Sequence, residues 1–490
     1  MRTPRLSPAL ACALVACLNA TAWSFITPPF QSPDEPSHFS YVEQLANTGS
    51  VPSVNDEEFS PDEQAALHGL HWSHVRRQPV NHGVASVSEQ RALERDLTSA
   101  AGSSRRATDA AGVATSEPPL YYALETIPYR LGGAGGVLVQ LQLMRLLSAL
   151  MAGATALFAF LFLREALPAV GWAWTVGGLS VALGPMLASS SAGVNPDALL
   201  FAVSAAAFYC LARAFRRGLT PRLAAATGGV IALGLLTKLT FVGLVPGIAL
   251  GLILLAARGS RPFVRATLDR GRAAYRRVAL SLAIAACPLC LYVLVDLASG
   301  GHGLGPAAGI AESSTHSSSI GAEIGYVWQL YLPRLPGMHT DFADVSPLRN
   351  LWFDGLVGQF GWADTVFPGW VYDLALIPAG LIAAGCLRTL LARRATLRCR
   401  VLELGVYGTI ALGLLVAIGV SSYSSFPEHA AGFAEPRYLL PLAPLMGGVV
   451  ALAARSAGRR WGPTVGALIV VLFVAYDVLS QLQVIARYYG

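Results

Sequence analysis

Eleven apolar runs, each near the length of a membrane span, partition this 490-residue chain. They lie near 8–27, 136–163, 169–188, 197–212, 222–237, 239–257, 278–297, 369–391, 401–420, 437–454 and 464–485. A helix needs about 20 such residues to cross the hydrocarbon core. Charged residues make up only 13% of the chain, about half the share usual in soluble domains. The reading is an all-α integral membrane protein with about eleven transmembrane helices, forming a single polytopic domain over residues 1–490.

Charge placement orients the runs. Arg2 and Arg5 precede the first, which predicts a cytoplasmic N-terminus. Alternating from there, one side collects Arg164, the Arg213–Arg222 group, the stretch from Arg258 to Arg277, the Arg393–Arg400 group, and Arg455, Arg459 and Arg460. Every arginine cluster falls on the predicted cytoplasmic side, in keeping with the positive-inside rule. The net charge of +6 therefore reflects topology and implies no nucleic-acid partner. A basic start and an apolar core also fit a signal peptide at 1–27, but no small-residue cleavage site follows.

Two large segments are then extracytoplasmic, 28–135 and 298–368. The first predicts helices at 35–47 and 118–130. The second has a Gly/Ser/Ala-rich part and an aromatic part, whose Trp and Tyr density predicts segments lying in the membrane interface. All seven cysteines avoid the long polar loops, so disulfides are not expected. Cys287 and Cys290 form a CxxC, but within a span, where small packing residues are the simpler reading. The chain has no Walker loop, GxGxxG or HExxH, and ATP-driven transport finds no support.

The unusual residues lie at the outer ends of the runs. "SPDEPSH" follows the first run and sets Asp34 and Glu35 between prolines. They could simply begin a helix, meeting its positive dipole end. They could equally supply a general base, with the second acid orienting it or holding a cation. His38 follows Asp34 by one helical turn. Lys238, the chain's only lysine, stands at the apex of an outer hairpin, "LTKLT"; it could snorkel or meet a lipid phosphate. Arg437 and Tyr438, in "EPRY", could anchor the interface or hold a phosphate. In "NPDALL", Asn195 and Asp197 read as a helix cap ahead of a substrate contact. Glu117 in "SEPPLYY" is a weaker candidate for a second acid.

The order of "SPDEPSHFSYVEQLANTG", "PPLYY", "MRLLSAL", "NPDAL", "LTKLTFVGLVP", "FGWADTVFPGW" and "RYLLPLAPL" resembles the GT-C superfamily of polytopic glycosyltransferases. Within it, the closest likeness is to a bacterial family of predicted membrane proteins. The resemblance runs over most of residues 8–455. It implies transfer of a sugar from a polyprenyl-phosphate donor to a glycan, lipid or protein acceptor, at the outer face of the bacterial cytoplasmic membrane. Asp34 would be the catalytic acid/base and Glu35 its partner, with Lys238 and Arg437 on phosphate. A divalent cation at the acidic motif is a further candidate ligand; no other cofactor is implied. Several GT-C enzymes bind acceptors through a large soluble C-terminal domain, and none is visible here, so sugar and acceptor stay open. The rival readings are a transporter or flippase of lipid-linked saccharides, in which the same charges bind head groups, and a non-catalytic envelope-assembly factor.

Overall fold

The computed structural model describes residues 7–52, 59–83, 87–100, 112–167, 170–259, 266–298, 320–342, 345–424 and 434–490. The chain is an all-α membrane protein, and every one of the eleven apolar runs is helical in it. Among the described residues nine helices are long and apolar enough to cross a membrane. The other two runs are shorter. Pro221–Thr237 has 17 residues and is capped by the Thr220 hydroxyl on Leu223 N–H, with Pro221 at its first turn. The run expected at 169–188 is broken: Gly171–Ala182 stops, and Pro185 opens a new helix to Ser190.

Two spans begin irregularly. Leu239–Leu244 and Pro436–Leu442 are 3-10 turns that lead into the helices Val245–Gly259 and Ala443–Arg455. Non-helical backbone at membrane depth is tolerated where protein buries it, and both turns carry buried residues. They start immediately after Lys238 and at Pro436, beside Arg437, so the two cations sit on the irregular segments. Small residues let the helices close up. A Cβ on Gly177 would stand 2.5 Å from the Gly447 carbonyl oxygen, so that crossing requires glycine.

The two ends of the bundle differ in chemistry. At one end Glu165 meets Arg217 at 2.7 Å and Arg213 at 3.9 Å, and Arg400 donates to the Ala166 carbonyl. At the other, the acidic motif, the lysine apex and the "EPRY" turn come together. Arg213, Arg217 and Arg400 thus gather at the end of the helix Asp197–Arg217 opposite the one that carries the unusual residues.

The segment 28–135 carries helices at Glu35–Thr48 and Leu120–Leu131, within two residues of the expected bounds. In the second polar segment, the Gly/Ser/Ala-rich part from 299 to 319 lies outside the described residues. A helix follows at Ile320–Tyr331, then a π-helical turn at Pro347–Phe353. A small antiparallel hairpin, which the helical reading did not include, pairs Gln359–Phe360 with Thr365–Val366. Trp352 is buried, not interfacial: it stacks on Tyr331 and donates to the Leu330 carbonyl at 2.7 Å. All seven cysteines are free.

Candidate functional site

Asp34 opens the helix Glu35–Thr48 in a left-handed conformation, φ 62° and ψ 6°, and its side chain makes no capping hydrogen bond. Asp34 stands at the helix start, as one reading has it, but satisfies no backbone N–H there. Aspartate tolerates the left-handed region better than most residues, yet such backbone still costs on the order of 1–3 kcal/mol. Something must hold it there.

Arg145 holds it. The guanidinium grips Glu35 through two oxygens, Nε to Oε1 at 2.8 Å and Nη2 to Oε2 at 2.6 Å. Its remaining N–H groups donate to the carbonyls of Ser24, Thr27 and Pro28 at 2.8–3.0 Å. Glu35 also accepts from Val194 N–H at 3.0 Å. Both side chains are buried, at 1% and 0% exposure. Glu35, expected as the partner of Asp34, is enclosed: a carboxylate this buried requires a full set of donors, and Arg145 and Val194 supply them. Its role is to lock the end of the first span to the start of the next helix.

Asp34 instead faces a charge cluster. Arg437 reaches Asp34 at 3.4 Å, Asp197 at 3.1 Å and Glu435 at 2.8 Å. Lys238 reaches Asp197 at 2.9 Å and Glu117 at 3.5 Å. Tyr438 lies 5.6 Å below Lys238 and 5.8 Å from the Arg437 guanidinium, as a cation–π floor. Asp197 is the hub, bridging both cations. Asn195 caps it, its Oδ1 accepting from Asp197 N–H at 2.9 Å. Lys238 is buried, not snorkelling at a lipid edge. Four carboxylates here face two cations. Burial pushes Glu117 and Glu435 above the usual carboxylate range, against the pull of Lys238 and Arg437.

His38 belongs to the same neighbourhood but is buried, with Nδ1 2.9 Å from the Tyr122 hydroxyl. Burial lowers its pKa from 6.5 to about 3, against the field of Asp34. The unfolded chain therefore takes up this proton first. The stabilisation is full above pH 6.5 and is lost as pH falls toward the folded value. Between pH 7 and 5, wild type should lose about 2 kcal/mol more than His38→Gln. Denaturant titrations at both pH values measure the difference; equal losses would mean the imidazole is accessible to protons.

Beside the cluster is a cavity of about 160 Å³, bordered on this side by Pro33, Asn195, Glu435 and Arg437. Asp34 adjoins it through Pro33 and Arg437. Lys238 does not line it and stands behind Asp197. The sequence therefore pointed to six members of one site, Asp34, Asn195, Asp197, Lys238, Arg437 and Tyr438, with His38 buried against it. It missed Glu435, although that residue stands in the quoted "EPRY", and the role of Arg145 in "MRLLSAL". Glu117, rated weak, is a full member.

The model of a family described as predicted membrane protein (DUF2142) matches residues 17–446. The chain belongs to that family. The match takes in every member of the cluster from Asp34 to Tyr438. No curated protein matches the chain. Among solved structures it is similar to the oligosaccharyltransferase AglB of Archaeoglobus fulgidus in complex with an inhibitory peptide and a dolichol-phosphate. The identity is 14% and the TM-score 0.45, over 98% of this chain and 56% of that one. The apo oligosaccharyltransferase of the same organism is similar at 12% identity and a TM-score of 0.41, over 98% and 56%. The chain spans about half the length of these structures. A likeness this distant carries no inference about function.

Proposed function

We propose that this chain is a GT-C-type glycosyltransferase. It moves a sugar from a polyprenyl-phosphate donor to an envelope glycan, lipid or protein acceptor at the outer face of the bacterial cytoplasmic membrane. The observation that carries the reading is Asp34: an uncapped carboxylate in strained backbone, 3.4 Å from a buried arginine, at the edge of a cavity. Strain of this kind persists where it serves a site.

The chemistry needs two things at one place. An acceptor hydroxyl must lose its proton as its oxygen bonds to C1 of the sugar, and the C1–O bond to phosphate must break. Asp34 takes the proton. Arg437, and Lys238 acting through the shared Asp197, oppose the negative charge that grows on the departing lipid phosphate. Because the donor is held by its tail, the reacting carbon stays at the membrane surface, where the acidic motif leaves the first span. A divalent cation fits poorly. Among the described residues no three His, Cys, Asp or Glu side chains are grouped to hold one, and Lys238 and Arg437 stand between the carboxylates. The steps above use protein groups only.

Incubating purified protein with radiolabelled polyprenyl-phosphate sugars and an envelope extract tests the reading; absence of any transferred label would overturn it. Lys238 provides a second check. Lys238→Met deletes the charge but keeps an unbranched apolar stem. Lys238 acts through Asp197, which without it would draw more strongly on Arg437, so the expected cost is up to about tenfold in donor affinity, roughly 1.4 kcal/mol. Donor titration at fixed acceptor should show that loss in Lys238→Met and a smaller one in Lys238→Arg. Unchanged donor affinity and turnover in Lys238→Met would remove the lysine from the site.

A further inference from the structure

The cavity beside Asp34 has a second wall that the transfer chemistry does not use. It comes from the hairpin around residues 359–366, the turn at residues 75–77 and the last helix. Arg487 ties these pieces together, donating to the carbonyls of Val75 and Gln78 and pairing with Asp364 at 3.0 Å. Trp362 forms part of this wall, and the Arg76 guanidinium stacks on its ring at 4.0 Å.

Three features point to a ligand. The Trp362 indole N–H is shielded from solvent and has no hydrogen-bond partner; a shielded indole N–H normally finds an acceptor. Arg77 and Ala363, both lining the cavity, are in left-handed backbone at φ 57° and 62°. Finally, the lining alternates in character. Trp362 offers partly exposed apolar surface and Ser189 and Ser190 offer hydroxyl groups, over a floor that includes the buried Trp23 and Tyr488. A polyprenyl tail would need a continuous apolar groove, which this is not.

The geometry points to a saccharide subsite: the cavity holds a sugar residue of the acceptor, packed on Trp362 and hydrogen-bonded to its indole N–H, with a hydroxyl presented toward Asp34. A pyranose ring has the matching surface, an apolar face of C–H groups and a rim of hydroxyls. The assignment rests on the glycosyltransferase reading and narrows its acceptor class to glycans and glycolipids.

The test is binding, measured without turnover. The full chain in lipid nanodiscs is mixed with methyl glycosides of glucose, N-acetylglucosamine and glucuronic acid, and contact is read by saturation-transfer NMR. At least one glycoside should bind wild type. Trp362→Leu should weaken that binding about tenfold, and Trp362→Phe, which keeps a ring but deletes the N–H, by less. Thermal unfolding of both variants confirms that they are folded. Failure of all three glycosides to bind wild type, or equal binding in folded Trp362→Leu, overturns the subsite. Displacement of bound glycoside by polyprenyl phosphate also overturns it, by assigning the cavity to the donor. If glycosides bind but no label is ever transferred, the glycosyltransferase reading falls and the saccharide site stands.

Discussion

Asp34→Asn should lower sugar transfer by roughly 10²–10⁴-fold, the contribution of a general base, with little change in stability. The two expectations separate cleanly because of how the residue is held. Its carboxylate caps nothing, so the helix Glu35–Thr48 loses no hydrogen bond. Asparagine tolerates the left-handed region as well as aspartate does. The one ion pair, 3.4 Å to Arg437, leaves that guanidinium still paired with Asp197 and Glu435. The measurement is turnover of labelled donor in Asp34→Asn, beside its unfolding transition in the same detergent. A folded variant with wild-type turnover would sink the base assignment. A variant that fails to fold would show Asp34 to be structural. Asp34→Glu keeps the charge but moves it by a methylene, and should recover only part of the rate, since positioning is itself worth several kcal/mol.

The apolar runs could be read because lipid imposes one pattern, and each run became helix. What the pattern could not show is where a run breaks. Leu239–Leu244 and Pro436–Leu442 look as apolar as their neighbours, yet they wind as 3-10 turns. Asp34, Lys238 and Arg437 could be read for a different reason. A charge at the end of an apolar run is conspicuous, and alternation of the runs brings such ends to one face. Glu35 was harder to place. Asp34 stands before the helix in left-handed backbone and Glu35 begins it, so the two adjacent carboxylates find different partners, and Glu35 meets Arg145. Nothing local marks that partner, which is 110 residues away inside a span. The cavity wall was equally hidden, since the hairpin, the Val75 turn and the last helix meet only in three dimensions.

Arg145→Leu should be among the most destabilising substitutions in the chain. It strips a buried carboxylate of its counter-ion and removes the guanidinium donors from the carbonyls of Ser24, Thr27 and Pro28, of which Pro28 keeps the Gln31 N–H. Breaking a buried pair from one side costs about 3–5 kcal/mol, a large part of the 5–15 kcal/mol that typically separates folded from unfolded protein. Arg145→Lys should fare little better, since one ammonium cannot reproduce a bidentate fork and three carbonyl contacts. The informative variant is the double substitution Arg145→Leu with Glu35→Leu. Removing both charges of a buried pair is often close to neutral, so stability should return in part, limited by the carbonyls that lose their guanidinium donors. Activity should not return with it. If the Arg145–Glu35 pair holds Asp34 in its left-handed conformation, the folded double variant keeps its donor KM, set by Arg437 and Lys238, but loses kcat. A pair that serves only as glue would restore kcat in step with the folded fraction. The split between KM and kcat in that one protein decides whether the strain at Asp34 is maintained from inside the membrane.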